Sequence, residues 1–103
     1  TVWSCGRRGA GVSLKRLLRR AGREGIMHVL CEGGAGVAAA LLEDALVDEL
    51  VMFVAPRVLG GDALPVVTGA GAPLAQAKQF AFTRVESVGP DVLIRAVPVC
   101  SRD

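Results

Sequence analysis

The sequence has few aromatic residues, few cysteines and a single histidine. Only 4% of its 103 residues are aromatic and none is Tyr, so few side chains could stack against single-stranded nucleic acid. Cys5, Cys31 and Cys100 cannot all pair within one chain, and their spacing beside a lone histidine matches no zinc pattern. These absences argue against a nucleic-acid stacking platform, a disulfide framework and a metal site.

Long apolar segments are also missing. Acidic residues interrupt runs such as ALVDELVMFVAP (residues 45–56), so no segment is predicted to span a membrane. The N-terminus lacks the successive basic, apolar and small-residue regions of a signal peptide.

We interpret Cys31 as a small core residue in a reducing compartment, with a reactive thiol as the alternative. His28 is interpreted as a buried structural residue. The sequence therefore predicts a cytoplasmic protein.

Positive charge is concentrated near the N-terminus. Residues 1–23 contain seven Arg and Lys and no acid, whereas residues 24–103 contain five basic and ten acidic residues. Such asymmetry can indicate a polyanion partner. However, five of the seven charges fall within one short predicted helix, and we interpret them as its solvated face. RNA or DNA binding would predict steep salt dependence, and the low aromatic content argues against it.

The first half of the sequence predicts strand, helix and strand. TVWS (residues 1–4) resembles a strand and is followed by a glycine-rich loop. Ser13 is a good N-cap for a helix that Gly22 and Gly25 would end. Apolar residues of that helix recur at i, i+3, i+4 and i+7, namely Leu14, Leu17, Leu18 and Ala21. The apolar run at residues 26–31 predicts a buried strand, which suits a parallel or mixed sheet covered by helices.

The second half predicts helix, strand, loop and hairpin. Residues 36–45 favour a helix, and residues 49–56 a second buried strand that Pro56 would stop. Residues 57–75 are loop-like, and a loop of this length is often functional. Residues 80–99 predict a hairpin that turns at Gly89-Pro90-Asp91. The order of elements predicts one α/β sandwich ending in antiparallel strands.

A glycine-rich turn, EGGAGVAAA (residues 32–40), follows the strand predicted at residues 26–31. A helix that starts there presents unpaired N–H groups and its positive dipole end, so the turn could cradle a phosphate. It matches neither GxGxxG nor the lysine-bearing phosphate loop, and a purely structural tight turn is the alternative. Glu32 would lie at the carboxyl end of a strand, where open α/β sheets bind ligands. Its alternative roles are capping a neighbouring backbone or pairing with an arginine.

A series of linked motifs extends over most of the chain. They are Gly25-Ile26, Glu32-Gly33-Gly34, LVDEL (residues 46–50), Ala55-Pro56 and LGG (residues 59–61). In this order they resemble the C-terminal reductase domain of the bifunctional riboflavin-biosynthesis deaminase–reductase, a member of the dihydrofolate-reductase-like superfamily. The resemblance implies that residues 1–103 are the C-terminal part of a single reductase domain. It also implies a three-layer α/β/α sandwich with a mixed, mostly parallel sheet that ends in an antiparallel hairpin.

The same resemblance implies a function. The family uses NADPH to reduce 5-amino-6-(5-phosphoribosylamino)uracil to its ribitylamino form. Glu32 would contact this substrate, and the family pattern assigns neither a catalytic group nor a metal ligand here. The residues that would line the cofactor are Gly33, Gly34, Ala35, Gly36, Val37, Ala38, Ala39 and Ala40. Ala35 stands where the family often has proline or glycine.

Two other interpretations remain open besides nucleic-acid binding. The chain could reduce a folate or another pteridine within the same superfamily, although the EGG and LVDEL motifs favour the riboflavin branch. It could instead be a non-catalytic fragment or subunit that pairs through exposed strands. For the reductase itself, the expected partners are the small-molecule substrate and either a second copy or the N-terminal half of the domain.

Overall fold

A computed structural model describes residues 2–8, 11–69 and 71–99. The chain forms two compact units, one comprising Thr1–Leu46 with Val66–Gly69 and the other Val47–Pro65 with Ala70–Asp103. The described elements of the first unit are β1 (Arg7–Arg8), β2 (Gly11–Val12), α1 (Leu14–Arg23) and α2 (Ala35–Glu43). Those of the second are β3 (Leu50–Val54), a 3-10 turn (Leu74–Gln76), β4 (Phe80–Val88) and β5 (Asp91–Pro98).

The ends of α1 follow from local chemistry that the sequence predicted. The Ser13 hydroxyl accepts a hydrogen bond from the Arg16 N–H at 3.3 Å, which confirms Ser13 as the N-cap. At the other end Gly25 has a φ of +84°, and the Ile26 N–H donates to the Ala21 carbonyl at 3.0 Å. This is a Schellman cap. The predicted apolar face is confirmed, since Ala21 is buried at 6% exposure.

Helix α2 ends in the same kind of cap, but without glycine. The Leu46 N–H donates to the Leu41 carbonyl at 2.9 Å and the Ala45 N–H to the Leu42 carbonyl at 3.1 Å. Ala45 therefore adopts a φ of +54°, a left-handed conformation that is unfavourable for an L-residue. The helix predicted at residues 36–45 is confirmed, and its last predicted residue belongs to the cap.

The second unit is built on a three-stranded antiparallel sheet in the order β3-β5-β4. Leu93 and Ala96, both on the central strand β5, are its buried apolar residues in the described part of the chain. The predicted hairpin is confirmed, and it turns at Gly89 with a φ of +58°. Arg95 on β5 forms an ion pair with Glu49, just before β3, at 3.0 Å.

The strand predicted at residues 26–31 does not form. No described segment makes a hydrogen-bonded ladder with it, and Met27 and Leu30 are 89% and 79% exposed. A strand requires a neighbour for its backbone N–H and C=O groups, and this segment has none here. His28 and Cys31 are exposed as a consequence, so the predictions that both are buried were wrong.

The start of the chain also differs from the prediction. Residues 2–4 are irregular rather than a strand, and Thr1 lies outside the described residues. The segment predicted as a loop contains the short antiparallel ladder β1–β2. A two-residue ladder is too short to give an alternating apolar pattern that a sequence would reveal.

Every strand pair in the described residues is antiparallel. The expected mostly parallel sheet is therefore not observed. Parallel neighbours must be joined by a crossover connection, and the segment predicted to supply one of them, residues 26–31, is unpaired. In the described parts of the chain, no helix is both long and apolar enough to cross a membrane.

Candidate functional site

The glycine turn between residues 26–31 and α2 is defined by two consecutive glycines with positive φ. Gly33 has a φ of +69° and Gly34 a φ of +84°. Other residues rarely adopt these angles. Gly34 is also the N-cap of α2, and no side chain caps that helix end.

The turn leaves a row of backbone donors free. The first hydrogen bond of α2 runs from the Ala38 N–H to the Gly34 carbonyl at 3.0 Å. The amides of Ala35, Gly36 and Val37 precede that bond, and they have no acceptor among the described residues. The first turn of α2 holds no acidic side chain. The positive end of the helix dipole is therefore not neutralised locally.

Space in front of the turn is open. A Cβ placed on Gly33 would meet no atom within 4 Å, and one on Gly34 would lie 3.8 Å from Val37 Cγ2, an ordinary van der Waals distance. Backbone angle, not crowding, is therefore what requires glycine at both positions. A ligand could approach these amides without displacing any described side chain.

A segment of the long loop supports the start of α2. The Thr68 N–H donates to the Ala35 carbonyl at 3.3 Å, which joins Val66–Gly69 to this unit. The sequence indicated only that the loop at residues 57–75 was long enough to be functional. It carried no signal that this particular segment would reach the glycine turn.

Glu32 lies directly before the two glycines, and its side chain is exposed. Among the described residues it has neither a hydrogen-bond nor an ion-pair partner. Neither alternative role, backbone capping or arginine pairing, is observed. A free carboxylate can accept hydrogen bonds from a ligand that carries N–H or O–H groups.

The remaining predicted cofactor residues continue along α2. Ala38, Ala39 and Ala40 are half-buried, and their N–H groups bond within the helix rather than facing its open end. They contribute small side chains to the same helix end. In the described ranges no three His, Cys, Asp or Glu side chains come close enough to hold a metal ion.

The glycine turn combines hydrogen-bond donors with a carboxylate acceptor. Three unpaired amides at a helix N-terminus favour a phosphate or another oxyanion, while the adjacent carboxylate favours a donor-bearing ligand. A ligand pair, or one ligand with both features, could therefore meet at residues 32–37. Nothing in this turn is itself a nucleophile, so the site is suited to binding and orienting ligands.

Comparison with known proteins gives consistent matches. The profile of the family described as RibD C-terminal domain matches residues 2–94. Riboflavin biosynthesis protein RibD of Escherichia coli strain K12 is 42% identical over 82 residues, which is 79% of this chain and 22% of that protein. The 5-amino-6-(5-phosphoribosylamino)uracil reductase of Buchnera aphidicola is 30% identical over 88 residues, 84% of this chain and 42% of that protein.

A solved structure extends the match to the fold. Acinetobacter baumannii RibD, form 2, superposes with a TM-score of 0.78 at 28% identity, and the match covers 91% of this chain and 30% of that one. The α/β fold with an antiparallel sheet is therefore shared. The chain spans less than half the length of each of these three proteins. Because the profile matches nearly the entire sequence, this chain belongs to the RibD C-terminal domain family.

Proposed function

We propose that this chain is part of an NADPH-dependent reductase of riboflavin biosynthesis. The reaction is reduction of 5-amino-6-(5-phosphoribosylamino)uracil to its ribitylamino form, as the name of the Buchnera relative suggests. The observation that carries the proposal is the glycine turn, where three amides without an acceptor follow two uncrowded glycines and a Glu32 that has no partner among the described residues.

In this proposal the cofactor phosphates lie against the start of α2. Gly33 and Gly34 permit close approach, and the amides of Ala35, Gly36 and Val37 donate to phosphate oxygens. Thr68 holds the first turn of α2 in place through its bond to Ala35. The nicotinamide supplies the hydride. The chain supplies orientation, which can account for much of the rate enhancement.

Glu32 is proposed to hold the substrate. Its exposed carboxylate precedes the cofactor turn by a single position, so a substrate bound there would lie next to the cofactor. The Glu32 carboxylate forms no hydrogen bond or ion pair that would stabilise the fold, since it has no partner among the described residues.

We further propose that residues 1–103 form the C-terminal part of one dihydrofolate-reductase-like domain with three layers. Two features support this arrangement. Residues 26–31 are mostly apolar and form no strand pair, and β3 pairs on one side only, with β5, in the described part of the chain. Open strand edges of this kind recruit further strands. The expected source is the rest of such a domain, and a second copy of this chain would be the alternative.

The experiment is a titration of the chain with NADPH, followed by nicotinamide fluorescence, with NADH as comparator and the mass determined in the same buffer. We expect saturable binding with a preference for NADPH. A folded chain that binds neither nucleotide, alone or together with the remainder of a reductase domain, would contradict the proposal.

Glu32→Gln separates the substrate role from the cofactor role. We expect the unfolding free energy to change by less than about 0.5 kcal/mol, because the side chain is exposed and unpartnered. NADPH affinity should also be unchanged. Binding of the phosphoribosylamino-uracil should weaken about tenfold or more, as a charged hydrogen-bond acceptor is lost. Unaltered substrate affinity would remove Glu32 from the site, and tighter binding of dihydrofolate would favour a pteridine substrate.

A further inference from the structure

A surface pocket of about 350 Å³ lies beside the arginine-rich face of α1, and it shares no residue with the glycine turn. Four arginines and one short backbone segment line it, namely Arg16, Arg19, Arg20, Arg23 and Ser4–Cys5–Gly6. None of these residues belongs to the glycine turn, and the inference below does not rest on the proposed reductase function.

Among the described residues, a carboxylate partner is present for one of the four arginines. Arg20 forms an ion pair with Glu24 at 2.8 Å, and its guanidinium lies over the Trp3 ring, 5.2 Å from the centroid. Arg16, Arg19 and Arg23 have no carboxylate partner in the part of the chain that the structure describes. The pocket therefore has three uncompensated positive charges.

Some of these charges are unfavourable for the helix, although Arg20 and Arg23 lie in its last turn, where the dipole favours cations. Arg16 and Arg20, and likewise Arg19 and Arg23, are four residues apart on α1, where like charges repel. Arg16 also lies in the first turn, which contains no acid and has an unfavourable dipole for a cation. Arg16, Arg19 and Arg23 are exposed, but all four arginines line the same concavity, and an anion bound there would relieve the remaining repulsion.

Gly6 allows one of these arginines to reach the pocket wall. It has a φ of +75°, and Arg16 Nη1 occupies the position that a Cβ on Gly6 would take. The Ser13 N–H donates to the Gly6 carbonyl at 3.1 Å, which holds the Ser4–Gly6 segment against the start of α1. Backbone conformation and arginine placement are therefore coupled on this side of the pocket.

We propose that this pocket binds a small phosphate-bearing anion with at least two negative charges, such as a phosphomonoester or a pyrophosphate. Guanidinium groups bind phosphate through paired N–H donors, and three of them here lack another partner. The volume lies at the lower end of the range for small-molecule sites, which suits a compact anion. A single-stranded nucleic acid would instead need aromatic faces along an extended track.

The test is a titration of the purified chain with inorganic pyrophosphate, monitored by tryptophan fluorescence. Trp3 is the single tryptophan and lies against Arg20 at the pocket, so it reports on this site. We expect saturable binding. In the double variant Arg19→Gln/Arg23→Gln, affinity should fall about a hundredfold, roughly tenfold for each charged donor lost.

A charge-matched control separates a built site from general attraction. Lys15→Gln/Arg57→Gln removes the same net charge from two residues that do not line the pocket, and we expect less than about a threefold change, as screened surface charges contribute little. Equal weakening in both double variants, or no saturation at millimolar pyrophosphate, would overturn the proposal. Displacement of pyrophosphate by a tighter-binding single-stranded oligonucleotide would overturn it too.

Two further variants address misfolding of the double variant and binding of pyrophosphate at the glycine turn. If the double variant does not fold, the exposed single change Arg23→Gln replaces it, with an expected tenfold loss of affinity. Gly34→Val should leave pyrophosphate binding intact, because the two sites share no residue. If Gly34→Val abolishes it, pyrophosphate binds at the glycine turn and the pocket is not the site. Failure of NADPH binding alone would bear only on the reductase proposal.

Discussion

Gly34→Val is the substitution that most sharply separates the binding role of the glycine turn from its structural role. Gly34 has a φ of +84° and a ψ of +93° at the N-cap of α2, a combination that L-residues rarely adopt and that costs about 1–3 kcal/mol. The added Cβ would lie 3.8 Å from Val37 Cγ2, so the Cβ itself meets no clash. We expect the unfolding free energy to fall by about 1–3 kcal/mol with the fold retained.

The expected effect on NADPH is larger than the effect on folding. The valine side chain would fill the open space in front of the free amides of Ala35, Gly36 and Val37. A hydrogen bond to a charged group contributes about 1.5–3 kcal/mol. Blocking a single such bond should therefore weaken NADPH binding by roughly ten- to a hundredfold.

Gly71→Val is the matched control. Gly71 has a φ of +77° and open space around its Cβ position, but it lies in the other compact unit. Urea denaturation should give both variants a similar loss of stability, and fluorescence titration should show weaker NADPH binding for Gly34→Val alone. Unchanged affinity in a folded Gly34→Val chain, or an equal loss in both variants, would refute the reasoning.

Four further substitutions test stability and can be checked by urea denaturation monitored by circular dichroism. Ala45→Gly should raise the unfolding free energy by about 0.5–1 kcal/mol, because Ala45 holds a φ of +54° in the α2 cap; a decrease would show that this angle is not strained. Ser13→Ala should lower it by about 1 kcal/mol through loss of the α1 N-cap, and no change would mean that the bond to Arg16 is dispensable. Leu93→Ala should cost about 2–3 kcal/mol, because Leu93 is only 9% exposed. Phe82→Ala should change stability by less than about 0.5 kcal/mol at 71% exposure, and the reverse order would place Phe82 in a buried face.

Elements whose ends are set by neighbouring residues could be predicted from the sequence. Ser13 caps α1 and Gly25 ends it because capping depends on side chains and backbone angles within one turn. The β4–β5 hairpin was equally predictable, since its strands are joined by a short glycine turn. The register shift between Phe82 and Arg84 had no glycine to mark it and was not predicted.

Features that depend on distant partners could not be predicted in this way. The apolar pattern of residues 26–31 indicates a strand, but pairing requires a neighbour that the described residues do not provide. The inferred burial of His28 and Cys31 depended on that pairing and was wrong. Likewise, a φ of +54° at Ala45 has no signature in the residue type, because the cap hydrogen bonds donated by the Ala45 and Leu46 N–H groups impose it.

The candidate site was partly accessible to sequence reasoning. Consecutive glycines at residues 33–34 predict a turn with free amides, because few other residues adopt such angles. The support from Thr68 was not predictable, as it joins positions more than thirty residues apart. The arginine pocket on α1 was interpreted only as a solvated face, since the sequence does not show that Gly6 admits Arg16 to the pocket wall.

The most direct test of the central claim is a backbone amide NMR titration of the isotope-labelled chain with NADPH. We expect saturable shifts at Gly33, Gly34 and the three amides of Ala35, Gly36 and Val37, all with one dissociation constant. Saturable binding that shifts amides elsewhere and leaves these five unchanged would show that the glycine turn is not the cofactor site, as would the absence of any shift in the folded chain at millimolar NADPH.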